Sequence, residues 1–233
     1  MRKRYFISLI ILLQAFLSCQ KEKQQSGAAR LDFNEIFDES MSDWIGDFAD
    51  YPVGEETKYK LSITHEKLPA PLDTNKKGIR VSGNNHSDDL FMFLKKKVSG
   101  LKPQSSYKMD LEITFASGVP AKRAGVGGPP AEAVIVKAGL MSTEPARTAE
   151  SDGRMYRMNI DKGNQGTGGK DMQPIGNIAN GIDKEEYRLV KRNGSFTGVT
   201  NSKGEAWICI GTDSGFEATT TLYYTKISGT IYQ

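Results

Sequence analysis

Two cysteines, Cys19 and Cys209, and two histidines, His65 and His86, are all that the 233 residues carry of either type. This shortage excludes a disulfide-stapled scaffold, which needs several cysteine pairs. Zinc needs at least three protein ligands, and neither histidine has a cysteine near it in sequence. Cys209 sits in the apolar run Trp207-Ile208-Cys209-Ile210, far from both histidines. It reads as a small buried hydrophobe, because a nucleophilic thiolate wants a basic neighbour. No Gly-x-Ser-x-Gly elbow marks a serine hydrolase. No stretch of twelve or more residues repeats its apolar positions at helical spacing. A surplus of one charge is missing too. Arg2, Lys3 and Arg4 precede residue 19 and no acid does, so residues 19–233 hold 28 basic and 28 acidic side chains. Nucleic acid is therefore not an expected partner, since phosphate binding needs excess Lys and Arg. The run Lys95-Lys96-Lys97 reads as a solvated strand end.

One long apolar run is present, and it lies at the start. Tyr5 to Leu17 is broken only by Ser8 and Gln14, follows a basic triplet and precedes Ser18 and Cys19. The run is shorter than the roughly 20 apolar residues that span a bilayer. A charged start, a short apolar core and a small residue before a cut make a secretory signal over residues 1–18. The pair Ser18-Cys19 resembles the lipobox of bacterial lipoproteins. That resemblance implies acylation of Cys19, export, and anchoring to the membrane of the cell envelope through the lipid; the alternative is an ordinary secretory signal with an incidental cysteine. Acylated Cys19 would leave Cys209 without a partner, so the domain must be held by its core. Residues 19–29 are polar with Gly and Ala and are expected to form a flexible tether. Residues 30–233 are long enough for a single domain with one sizeable core.

Short apolar alternation dominates that domain. From Tyr107 to Phe115 every odd position is apolar and every even one polar, the pattern of a half-buried antiparallel strand. Tyr59–Thr64, Ile79–Val81, Leu90–Leu94, Ala133–Val136, Tyr156–Ile160, Tyr187–Val190, Ala206–Gly211 and Thr219–Ile231 are further candidates, and residues 32–38 lean the same way. Asp183–Arg188 reads as one helical turn, and Arg192-Asn193-Gly194-Ser195 carries the Asn-Gly chemistry of a hairpin. The expected fold is all-β, a two-sheet antiparallel sandwich of jelly-roll type with two long Gly-rich loops, 118–132 and 161–181.

The second loop contains Gly163-Asn164-Gln165-Gly166-Thr167-Gly168-Gly169-Lys170-Asp171, which fails as a phosphate loop. Asn164 stands where that motif needs its first glycine, and Asp171 where it needs a hydroxyl. A flexible loop is the reading that remains. Gly83-Asn84-Asn85-His86-Ser87-Asp88-Asp89 is rich in side-chain oxygens. Such a turn suits calcium or a sugar, and equally forms a plain Asx turn; no cofactor is expected. Acids abound, among them Asp38, Glu39, Asp43, Asp47, Asp50, Glu55, Glu56, Asp213 and Glu217, but nothing in their spacing singles out a catalytic pair. Trp44-Ile45-Gly46-Asp47-Phe48-Ala49-Asp50-Tyr51-Pro52 concentrates aromatics beside acids. Aromatic faces stack on the C–H face of a sugar and polar edges bond its hydroxyls. Trp44, Asp47 and Tyr51, with Asn84, Asn85, Asp88 and Asp89, form the candidate ligand site. Phe48 is more economically a core residue.

The run Asp88–Phe93, the connector Val98-Ser99-Gly100-Leu101-Lys102-Pro103, the strand from Tyr107 and the closing segments Trp207–Gly211 and Leu222–Ser228 together resemble galactose-binding-like jelly rolls, which include carbohydrate-binding modules. The resemblance implies a non-catalytic glycan-binding domain. Thr225 stands near a position where members often carry an acid, which argues against the family's structural calcium. The rival readings are a structural or adaptor lipoprotein that grips another envelope protein through a sheet edge or the Gly-rich loops, and a glycan hydrolase.

Overall fold

A computed structural model describes residues 27–233. The signal, Cys19 and the tether up to Ser26 lie outside the described residues. Fourteen strands follow in order: β1 (Arg30–Ile36), β2 (Ile45–Ala49), β3 (Tyr51–Pro52), β4 (Ser62–Lys67), β5 (Lys77–Asn84), β6 (Leu90–Val98), β7 (Ser106–Ser117), β8 (Val134–Met141), β9 (Arg147–Ala149), β10 (Met155–Met158), β11 (Gln173–Asn177), β12 (Arg188–Val199), β13 (Ala206–Ser214) and β14 (Thr219–Tyr232). Among the described residues there is no helix. Six strands make one sheet, in the order β12-β7-β14-β5-β4 with β1 also on β14; five make the other, β11-β8-β13-β6-β2. A three-stranded ribbon, β3-β10-β9, flanks them. The chain changes sheets at nearly every connection from β5 onward, the habit of a jelly roll, and every strand pairing is antiparallel.

The alternation in β7 faces as its pattern requires. Tyr107, Met109, Leu111, Ile113 and Phe115 are buried, while Lys108 and Asp110 are exposed and Glu112 is half-buried. In the opposite sheet Leu90 to Leu94 are all buried, because β6 lies between β13 and β2 and is covered on both faces. One cluster of apolar side chains fills the space between the sheets, and a smaller one, around Phe91, Phe93 and Cys209, packs on the outer side of the five-stranded sheet. Cys209 is fully buried there, and burial pushes its thiol far above the ordinary range.

Four local expectations are corrected. Asn193-Gly194 makes no hairpin: β12 runs straight through it, with Gly194 opposite Leu111. The glycine is there for space, since a Cβ would stand 2.6 Å from Ile175 of the facing sheet. Asp183–Arg188 is a bend that hands over to β12, not a helical turn. Tyr59 is turn rather than strand, and its buried ring packs on Tyr51 and His86. Two of the three lysines of the 95–97 run are not solvated, and only Lys97 stays exposed. Lys95 is buried against Glu144 (2.7 Å), Lys96 reaches Glu35 (2.6 Å) and Lys97 reaches Glu205 (3.3 Å).

The strand registers define two ends. Val98, Ser106, Val199, Ala206 and Tyr232 mark the foot; Leu90, Ser117, Arg188, Ser214 and Thr219 mark the apex. Short turns close the foot. Residues 27–29, assigned to the tether by composition, are docked there: Ala28 pairs with Leu101, and its carbonyl accepts the Tyr107 hydroxyl at 2.6 Å. The first Gly-rich loop, the 84–89 turn and the part of 161–181 before β11 gather at the apex; the second expected loop is interrupted, because residues 173–177 form β11 on the edge of β8.

Candidate functional site

The apex carries a buried ion cluster and two clefts. Lys137 interrupts the apolar strand β8, and its ammonium donates to Asp213 Oδ2 (2.8 Å) and to the carbonyls of Lys162 and Thr167. Both Lys137 and Asp213 side chains are 0% exposed. Lys162 Nζ meets the same Asp213 oxygen at 2.9 Å, Asp50 Oδ2 at 3.1 Å and Asp89 Oδ1 at 3.9 Å, and lies 5.2 Å from the centre of the Phe91 ring. Arg157 closes the rim, 2.7 Å from Asp89 and 3.5 Å from Asp50. Three carboxylates thus face three cations. Buried charges persist when paired in this way, because an isolated one costs several kcal/mol or more. Burial nevertheless raises the carboxyl of Asp89 to about 6, helped by Asp50 and Asp213, and raises that of Asp50.

The cluster fastens the second Gly-rich loop. Gln165 N donates to Asp213 Oδ2 (2.9 Å). Asp161 accepts from Gly163 N and Lys170 N, and Asp171 N donates back to the Asp161 carbonyl at 2.9 Å. The loop expected to be loose is tied at both ends and in the middle. The smaller cleft, about 320 Å³, opens beside it between Asp50, Asp89, Arg157, Lys162 and Asn164.

The larger cleft, about 670 Å³, lies on the apex side of the six-stranded sheet and is lined by Val119, Arg123, Glu186, Tyr187, Phe216 and Thr221 among others. Tyr187 is half-buried, edge-on to Tyr223 at 5.7 Å, and burial raises its phenol above the ordinary range. Phe216 is half-buried too. Charged groups rim the opening. Arg123 pairs with Asp183 at 2.8 Å, and the ammonium of Lys184, 2.7 Å from Glu186, holds that carboxyl below its ordinary range.

Two buried asparagines set these aromatics in place. Asn180 donates from its amide to the carbonyls of Lys184 and Glu186 and accepts from Ile182 N, which shapes the bend that delivers Tyr187. Asn85 donates to the carbonyls of Ser214 and Phe216 at 2.7 and 3.0 Å and so fixes the β13–β14 turn that carries Phe216. The first Gly-rich loop lies over that ring; a Cβ on Gly125 would stand 2.6 Å from it.

The residues chosen from sequence scatter. Trp44 is 3% exposed and packs edge-on against Phe37, so it offers a ligand no face. Tyr51 is 0% exposed, with its hydroxyl on Arg147 and Glu56. Asp47 lies 3.7 Å from Arg147. Asn84 closes β5 opposite Thr219, and Asn85 is a buried strut. Asp88 is exposed at the apex, and its carbonyl accepts from Gln165. Asp89 alone of the seven lines a cleft among those described. The turn does not fit calcium. Asn85 Oδ1 is engaged by the backbone N–H groups of Ser87 and Leu90, and Asp89 is engaged by Arg157. Among the described residues no group of three or more His, Cys, Asp or Glu is arranged to hold a metal ion. Sequence reasoning missed Tyr187, Phe216 and Tyr223, which fall in or beside strands, and Lys137, whose one signal is a lone charge in Val134-Ile135-Val136-Lys137-Ala138.

No family model matches the chain, and no curated protein does. Solved structures overlap it at low similarity. A carbohydrate-binding module from the β-sandwich superfamily, described for promiscuous specificity, shares 8% identity at a TM-score of 0.36, covering 82% of this chain and 58% of that one. The CBM22-1 xylan-binding domain of Paenibacillus barcinonensis Xyn10C shares 9% at 0.41, covering 89% and 97%. The K1 cleaved adhesin domain of the Porphyromonas gingivalis Lys-gingipain shares 8% at 0.34, covering 85% and 97%. At these identities and scores, what the chain binds has to be read from its own side chains.

Proposed function

We propose that this chain is an envelope lipoprotein, anchored through acylated Cys19, whose sandwich domain binds a glycan without turning it over. The observation that carries the reading is the larger apex cleft. Half-buried Tyr187 and Phe216 offer apolar faces, while Thr221, Arg123 and Glu186 offer donors and acceptors around them. That division suits a sugar ring, with an apolar C–H face and a polar edge. The buried Asp213 and Asp50 are each matched by lysine or arginine, an arrangement that holds loops rather than one that passes protons. The test is a glycan array followed by titration calorimetry, with residues 27–233 rather than a shorter piece, because Ala28 is docked. Tyr187→Ala should abolish or sharply weaken binding, and Trp44→Ala should lower stability instead. Binding that survives Tyr187→Ala unchanged would move the site elsewhere. No glycan bound, together with a co-purifying envelope protein, would favour the adaptor.

A further inference from the structure

Gly27 to Ala29 sit at the foot of the sandwich. Ala28 N donates to Gly100 O (2.7 Å), and Gln233 N donates to Ala29 O (3.1 Å). Both clefts that hold Asp89 and Tyr187 lie at the other end. The distance between the ends follows from β7, whose 12 residues run the full height; at a rise of roughly 3.3 Å from each residue to the next that is about 36 Å. Cys19 and Gly27 stand eight positions apart, and a stretched segment of that length spans at most about 28 Å. The apex therefore cannot face the bilayer squarely while the foot stands above it, because the connection is too short for the domain to invert.

We infer that the domain stands foot-down on its membrane and presents the apex clefts away from it. The inference rests on the anchor reading of Cys19. It commits the partner to a polymer borne in the space beyond the membrane, not to a lipid headgroup of the bilayer that holds the anchor.

The test uses the acylated full chain in phosphatidylglycerol-containing vesicles whose headgroups carry a short-range fluorescence quencher. Cys209 is buried, so one new cysteine takes the dye: Ser202→Cys at the foot or Val126→Cys at the apex, where residue 126 is 68% exposed. The dye at 202 should lose most of its emission and the dye at 126 little. Equal loss at both, or greater loss at 126, would overturn the orientation. Cys19→Ser is assayed separately: release from the vesicles supports the anchor, and retention on them defeats the anchor reading whatever the dyes report.

Discussion

The apex and the foot of this sandwich close the same strands by different means. At the foot, turns of a few residues are held by backbone: Leu101 N donates to Gly204 O, Thr200 N to Ser105 O, and Gln104 N to Asn201 O. Gly204 is at φ +72 where a Cβ would strike the Leu101 carbonyl, so the turn needs glycine twice over. At the apex the loops are long, and their order comes from side chains: the ion cluster and Asn85 join residues far apart in sequence, and Asn180 braces its own bend. Asp50 sits there at φ +61, a left-handed conformation that Asp tolerates better than most residues. At the foot the turns lie backbone against backbone. An apex built from long-range struts leaves clefts between them. The cost is that the apex depends on a few buried polar groups whose loss nothing nearby offsets.

The sharpest way to break the contrast is to uncouple the cluster. Asp213→Leu leaves Lys137 and Lys162 without their shared acceptor, and stripping one partner from a buried pair costs about 3–5 kcal/mol. Denaturant unfolding should show that loss. The paired variant Lys137→Met with Asp213→Leu should recover part of it, since the buried charge and its partner leave together. A cost for Asp213→Leu under about 0.5 kcal/mol, the scale of an ordinary surface site, would mean that the cluster does not hold the apex.

Core packing common to both ends comes next. Leu111 is 3% exposed, and Leu111→Ala should cost about 2–5 kcal/mol. A surface-sized change would contradict the register of β7.

Binding should respond to the apex alone. Tyr187→Ala should weaken glycan affinity about tenfold or more, since an aromatic contact of roughly 1.4 kcal/mol is one decade. Ser202→Ala at the foot should leave affinity unchanged. Equal effects of the two would erase the distinction between the ends.

The smallest expected effect is on pH dependence. The folded Asp89 carboxyl titrates at about 6, above its ordinary 3.8, so the native state holds this proton more tightly than the unfolded chain. Stability from this group is therefore fully present below about 4 and is lost as pH rises through 6. Asp161 and Glu186 are shifted the other way, so total stability mixes both signs. Comparing melting of wild type and Asp89→Asn from pH 4 to 7.5 isolates it: the variant should gain relative to wild type as pH rises. A constant difference across that range would show that Asp89 has no raised titration in the fold.

How much of this was legible in the chain depends on the range of the interaction. Alternation in Tyr107–Phe115 reported which side chains face the core, because a strand sends successive residues to opposite faces whatever surrounds it. The apolar run Leu90–Leu94 likewise marked a strand covered on both sides. The Gly-rich loops announced themselves by composition, although not that Asp161 and Asp213 would tie one of them down. Asn193-Gly194 misled, because a dipeptide that favours a turn also suits a strand pressed against a neighbouring sheet. Trp44 misled as well: an aromatic beside acids looks the same in sequence whether its ring faces water or Phe37.

The sequence by itself determined the all-β character, the period of the long strands and the expectation of an exported, lipidated start, since each rests on neighbours along the chain. Tertiary structure alone decided which charges are buried and which aromatics are exposed. Lys137 and Asp213 lie 76 positions apart and touch at 2.8 Å, and Asn85 reaches 131 positions to the carbonyl of Phe216. No local pattern encodes such meetings, because they exist only once the two sheets have closed and brought their loops to one end.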